Sequence, residues 1–313
     1  MKIDYFVSFI FSTLLLSACT SAESPKNNQP NGSVVSQQDS IVPPPKEVPE
    51  QKLHTYEAWA VKGNDSIIKQ IKALSTAEQK VLHVLNRVDK KHIGRIDTIV
   101  VPKQIDTQLL SYAPFPEVLG AANDIPKLVF FSYPIQAYAL YEYGKLHVWG
   151  PTNMGKKATP TPTGLFFANW RGKEVRSSVD QSWILKWNFN ISNMGGVGWH
   201  EYDLPGYPAS HSCLRLLAED AKYMYDWADA WILQSGQLQA SGTPTIVFGE
   251  YPWGERRPWK SLLEDPKSND ISTEQLEEIL QTHLPKIKKE QEKRQEVINA
   301  RTKQQELAKT TTP

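Results

Sequence analysis

The stretch "GYPASHSCLRLLAED", residues 206–220, gathers a thiol, an imidazole, two hydroxyls and a guanidinium in one short segment. A cysteine acts as a nucleophile only as the thiolate, which needs a base or a positive neighbour. Two imidazoles are close in sequence. His211 lies two residues before Cys213, and His200 ends the strand-like "GVGW" further upstream. The intervening "EYDLPGYPAS" holds two prolines and a glycine, so it can turn back and bring His200 beside the thiol. If "ASHSC" is extended, His211 points to the same side as Cys213. The run after Cys213 reads as helical, which would place the cysteine where helix-end N–H groups are unused. The N–H of Cys213, with that of Ser212 or Leu214, is therefore expected to hold a developing negative oxygen. Arg215 could bind a substrate carboxylate or pair with Glu219 and Asp220. A rival reading makes His200, His211 and Cys213 three zinc ligands with water as the fourth. No Cys-x-x-Cys or HExxH pattern accompanies them, and no cofactor is expected. A papain-type peptidase would need its cysteine upstream of its histidine, the reverse of the order here.

The chain has one other cysteine, Cys19. It follows an apolar run from Tyr5 to Leu16, short of the roughly 20 apolar residues of a membrane span and suited to an export signal. "Leu16-Ser17-Ala18-Cys19" resembles a bacterial lipoprotein box, which implies that Cys19 receives lipid and becomes the mature N-terminus. Cys213 would then have no intramolecular partner, and an unpaired cysteine in an oxidising compartment needs a reason. Thr20 stands where an aspartate would favour retention in the inner membrane, so the expectation is anchoring in the outer membrane, facing the periplasm. With 35 basic and 34 acidic side chains and a net charge of +1, the chain lacks the basic footprint of a nucleic-acid binder.

The elements that must position Cys213 follow from composition and period. Residues 1–19 are the signal and lipobox. Residues 20–54, rich in Ser, Pro, Asn and Gln, cannot bury enough surface to fold and read as a linker. Over residues 55–103 the order is strand, helix, helix, strand, with Ser66 and Thr76 as candidate N-caps. "WAVKGNDS", "VLNRVD" and "DTIVVP" resemble a LysM module, which implies a small cell-wall-glycan-binding fold. Residues 104–125 are a Pro-interrupted connector. Residues 126–255 give many strands ("KLVFFSY", "AYALYEY", "LHVWG", "TPTGLFFANW", "WILKWNFNIS", "GVGWHEY", "TPTIVF") and one periodic helix around Leu217–Ala228. The fold class is therefore β-dominated α+β, a curled sheet or sandwich. Residues 256–313 form a charged tail, helical or disordered, with Ser272 and Gln275 as a capping box and a break at Pro285.

"DIPKLVFFS", "YEYGKLHVW", "TPTGLFFANW", "GWHEYDLPGYPASHSCLRL" and "GTPTIVF" together resemble the L,D-transpeptidase catalytic domain, the YkuD domain. Its members carry an upstream histidine and a Ser/Thr-His-Gly-Cys motif followed by an apolar residue and Arg or Asn. Here the motif is Ser210-His211-Ser212-Cys213-Leu214-Arg215. Ser212 stands in the glycine position, and the gap from His200 is short. A serine there implies a backbone angle that a Cβ tolerates. The resemblance implies that Cys213 attacks the bond between a diamino acid and D-alanine in a peptidoglycan stem, with His200 as base and His211 shaping the site. An amine acceptor would give a 3-3 cross-link, and water would make the enzyme an L,D-carboxypeptidase. A decayed, non-catalytic peptidoglycan-binding lipoprotein is the other alternative. Ser210 is expected to hydrogen-bond nearby. Among the aromatics before the motif, Trp183, Trp187, Trp199 and Tyr202, the last two flank His200 and are expected to floor the groove. Expected partners are stem peptides, glycan and, through Cys19, a membrane.

Overall fold

The computed structural model describes residues 53–177 and 179–310. Cys19, the lipobox and nearly all of the linker lie outside them. Strand β1 (Tyr56–Ala60) pairs antiparallel with β2 (Thr98–Pro102), and helices α1 (Asp65–Ala73) and α2 (Thr76–Asn86) lie between them in sequence. The order strand, helix, helix, strand is the expected one, but both caps differ. Asn64, not Ser66, opens α1 by accepting the Ile67 N–H at 3.2 Å. Ser75, not Thr76, opens α2 in a reciprocal box with Glu78. In both cases an equally good acceptor one or two residues earlier has the extended or turn backbone that a cap requires.

Alternation along β2 divides its side chains between two cores. Ile99 and Val101 join Leu82, Val61, Ile71, Val88, Ile93 and Ile96 in a small one. Val100 faces the other way, with Val81, Val84 and Leu85 of α2, into the main one. The N-terminal module and the sheets that follow thus share buried surface.

The main core is enclosed by two sheets. The first has strand order β5-β4-β3-β13-β6, built from β3 (Leu128–Ser132), β4 (Ala137–Glu142), β5 (Lys145–Pro151), β6 (Gly164–Phe167) and β13 (Pro244–Phe248). β13 runs parallel to β3, and the other pairs are antiparallel. Every residue of β3 is buried, as expected of a continuous apolar strand covered on both faces. The β4–β5 turn uses positive φ at Tyr143 and Gly144. A Cβ on Gly144 would meet the Leu119 carbonyl oxygen at 2.4 Å, so only glycine fits.

The second sheet has order β10-β9-β8-β7, from β7 (Arg171–Arg176), β8 (Ile184–Ser192), β9 (Val197–Glu201) and β10 (Leu214–Leu216). Phe131 and Trp199 stack between the sheets at 6.2 Å, and Phe189 meets Trp199 at 5.1 Å. Helix α3 (Ala218–Trp227) packs on β8 and β9. The β-dominated sandwich is the architecture expected. Of the two alternatives for the tail, helical or disordered, the described residues are largely helical. After the β11–β12 hairpin (Ile232–Gln234, Gln237–Ala240) and β13 come α4 (Thr273–Gln281) and the long α5 (Leu284–Thr310). Ser272 and Gln275 form the capping box. Leu276, Leu280 and Ile287 reach the main core, and Arg294 donates to the Ala230 and Ser241 carbonyls.

Candidate active site

The structure places the thiol at a loop-to-strand junction, not at the helix start expected from the sequence. Leu214-Arg215-Leu216 pairs in parallel with β9, and α3 begins only at Ala218. Three residues carry too little periodicity to reveal such a strand, whereas the register is set by tertiary pairing: Leu214 opposite Trp199, Arg215 opposite His200. Alternation then decides which side chains reach the site. Trp199, Leu214 and Leu216 turn into the core, each with no exposed surface. Two expectations fall with this. Trp199 cannot floor an open groove, and Leu214 is a ladder residue rather than a free oxyanion donor. His200 and Arg215 face the other side, into a cleft also lined by Trp183, Tyr202, His211 and Cys213.

His200 is 2% exposed. Its Nδ1 lies 2.9 Å from the Glu201 carbonyl oxygen. A carbonyl only accepts, so Nδ1 carries the proton and Nε2 keeps its lone pair as a base. Burial, partly opposed by the Glu201 bond and helped by the Arg215 charge, pulls the imidazole down to about 4. At neutral pH His200 is therefore uncharged. The Cys213 thiol is pushed up by burial, against the smaller lowering effects of the Gly198 N–H and Arg215. Its S–H faces the Gly196 carbonyl at 3.8 Å. Thiol and imidazole thus both rest uncharged in the same cleft.

Among the described residues, the N–H groups of Ser212 and Cys213 have no hydrogen-bond acceptor, which suits them to a negative oxygen beside the thiol. Ser212 adopts φ +81°, contrary to the expectation of an angle comfortable for a Cβ. The strain is held by the segment Asn153–Thr161. Thr161 Oγ1 donates to the Ser212 carbonyl at 2.9 Å, and Ser212 Oγ donates to the Thr159 carbonyl at 3.3 Å. Asn153 and Arg215 exchange both backbone bonds.

Ser210 lies at the edge of the cleft and belongs to the same scaffold. It is fully buried, its Oγ donates to the Cys213 carbonyl at 2.6 Å, and its carbonyl accepts from Lys156 N–H and Thr159 Oγ1. His211 lines the cleft but its Nε2 meets Lys156 Nζ at 3.1 Å. Burial first, then Lys156 and Arg215, depress its pKa. It is a neutral wall, packed 5.4 Å from Trp183. Among the described residues the donor atoms of His200, His211 and Cys213 do not gather within 4.8 Å of one another, so the three-ligand zinc arrangement is not formed. Arg215 has no carboxylate partner among the described residues; Glu219 and Asp220 pair with Lys80 instead. Its guanidinium lies 4.5 Å over the Tyr202 ring, open to a substrate carboxylate. The 153–161 scaffold escaped the sequence reading because "NMGKKATPT" has no strand or helix period; its threonines, able to cap loops, were the one available signal.

Residues 126–247 match the YkuD family model, the L,D-transpeptidase catalytic domain. None of the curated proteins compared matches the chain. Among solved structures it is similar to an L,D-transpeptidase from Stackebrandtia nassauensis, at 24% identity and TM-score 0.33 over 41% of this chain and 57% of that one. An L,D-transpeptidase from Enterococcus faecium gives 20% and 0.32 over 39% and 50%. L,D-transpeptidase 3 from Mycobacterium tuberculosis, in complex with a faropenem-derived adduct, gives 21% and 0.32 over 40% and 60%. The chain therefore spans less than two thirds of each of these three structures.

Proposed function

We propose that this chain, whose residues 126–247 match the L,D-transpeptidase catalytic domain, is a peptidoglycan L,D-transpeptidase with Cys213 as nucleophile. The observation that carries the reading is the cleft where Cys213, His200 and Arg215 meet beside the two unused N–H groups. A stem carboxylate docks on Arg215. His200 Nε2 takes the thiol proton as sulfur attacks the carbonyl of the diamino acid. The negative oxygen is met by the N–H groups of Ser212 and Cys213. The C–N bond breaks, and D-alanine leaves with the proton that His200 returns. The amine of a second stem then attacks the thioester and loses a proton through His200. A C–N bond forms, the C–S bond breaks, and the thiol is restored. Water in place of the amine gives the carboxypeptidase outcome.

The βααβ module supports a cell-wall-binding reading through its LysM-like "WAVKGNDS" turn and strand pair. The lipobox supports anchoring through Cys19, with the folded part in the periplasm of a bacterial envelope. No described helix is long and apolar enough to cross a membrane.

The test is purified protein with tetrapeptide-containing wall fragments, products identified by mass. Free D-alanine with a cross-linked dimer is expected, and Cys213→Ala should yield neither. Full activity of that variant would sink the mechanism. Because a solved relative carries a faropenem-derived adduct, faropenem should add mass at Cys213 here as well.

A further inference from the structure

The geometry points to a second binding site, for a phosphate-type oxyanion, in the cleft where the N-terminal module meets the loop that leads into the cysteine motif. The cleft measures about 330 Å³, and its charged lining is Lys62, His92, Arg95, Asp97, Arg257 and Lys260. The one carboxylate, Asp97, is paired with Lys62 at 3.4 Å. Arg95, Arg257 and Lys260 have no ion-pair partner among the described residues.

Among the described residues no ion pair neutralises these three cations, and Asp97 is already shared with Lys62. The Nη1 atom of Arg257 is buried with no hydrogen-bond partner. Leaving such a donor unmet inside a protein is costly unless a ligand completes it. The Lys260 amine is pushed down by burial first and by the Arg257 and Arg256 charges, with Asp97 opposing them only in part. Two of the three are arginines, whose planar fork matches phosphate oxygens. A phosphate carries about −1.5 to −2 at neutral pH, closer than a single carboxylate to the uncompensated charge.

The backbone leaves room for a guest. Gly206 has φ +80°, and a Cβ there would lie 2.9 Å from Ile96 Cδ1 and 3.4 Å from Arg257 Nη1, closing the space. Arg257 also lies 5.5 Å from the Tyr207 ring centroid. An anion in this cleft would touch the module through Arg95, the motif loop through Tyr207 and the segment after β13 through Arg257, and so tie the three together. The site stands independently of the chemistry at Cys213.

A soluble phosphate and a lipid headgroup offer the same chemistry, and the experiment separates them. The full chain carrying Cys19→Ser, so that lipid on Cys19 cannot account for binding, is titrated with inorganic pyrophosphate by calorimetry. In parallel it is mixed with phosphatidylglycerol or phosphatidylcholine vesicles. Saturable binding that weakens with salt is expected. Arg95→Gln and Arg257→Gln should each raise the dissociation constant about tenfold, the loss of one charge-assisted bond. If Arg257→Gln fails to fold, the exposed Arg95→Gln decides alone. Pyrophosphate binding lost in the variants assigns a free or polymer-borne phosphate. Binding confined to phosphatidylglycerol vesicles and lost in the variants assigns a headgroup. No saturable binding to either probe, or binding that both variants leave unchanged, overturns the proposal.

Discussion

Thr161 and Ser212 are joined beside the nucleophile: the Thr161 hydroxyl donates to the Ser212 carbonyl while Ser212 itself sits at φ +81°. A left-handed non-glycine residue costs about 1–3 kcal/mol, held in place by its surroundings. Ser212→Gly should therefore raise stability by about 1 kcal/mol, or about 2–4 °C in melting temperature, with D-alanine release retained. A lower melting temperature would show that the Ser212–Thr159 bond outweighs the strain.

Thr161 is 2% exposed and serves two bonds, receiving the Gly155 N–H at 2.9 Å as well as donating to Ser212. Thr161→Val keeps the shape and removes both. A loss of about 2 kcal/mol is expected from the unmet buried groups. The turnover number should fall more than the Michaelis constant rises, because the oxyanion N–H groups drift. Unchanged kinetics in a destabilised variant would make Thr161 purely structural.

The neutral resting pair predicts the pH profile. His200, depressed to about 4 by burial, is a competent base throughout neutrality, so kcat/KM should stay level near pH 7 and fall as pH drops through about 4. The raised Cys213 thiol should alkylate with iodoacetamide at a rate that still climbs past pH 9. An alkylation plateau at acidic pH would reveal a preformed thiolate–imidazolium pair instead.

The same burial has a stability consequence. A histidine whose folded pKa is depressed contributes stability that is present above its unfolded value, near 6.5, and is lost as pH falls towards about 4, since the unfolded chain binds the proton first. The difference in unfolding free energy between wild type and His200→Phe should change by at most about 3 kcal/mol across that window. A flat difference curve would place His200 in water.

Arg215 stacks on Tyr202 and has no carboxylate partner among the described residues. Arg215→Lys keeps the charge and loses the fork and the stacking, so the Michaelis constant for a tetrapeptide should rise about tenfold with a smaller change in turnover. Equal Michaelis constants would remove Arg215 from substrate binding.

Much of the fold and the centre of the site were legible in the sequence. The long strands around Leu128–Ser132 and Ile184–Ser192 carry apolar runs that need no partner to be recognised. His200, Cys213 and Arg215 could be grouped because one proline-rich loop joins them. What escaped depends on pairing across distance. Leu214–Leu216 becomes a strand only because β9 accepts it. Trp199 looked available because it adjoins His200, yet strand alternation sends neighbours to opposite faces. Ser210, Thr159 and Thr161 have small polar side chains whose scaffold role appears only once segment 153–161 lies against the motif. Ser212 carries no mark of its positive φ, because the strain is imposed by those neighbours.

The two-sided burial of β2 and α2 bears on how the chain can be taken apart. A fragment starting at the connector would open the catalytic core where Val81, Val84, Leu85 and Val100 had closed it. The N-terminal module is thus not a detachable reader threaded onto an independent enzyme. Grafting it elsewhere, or trading it for a different domain, would require rebuilding one wall of the catalytic interior.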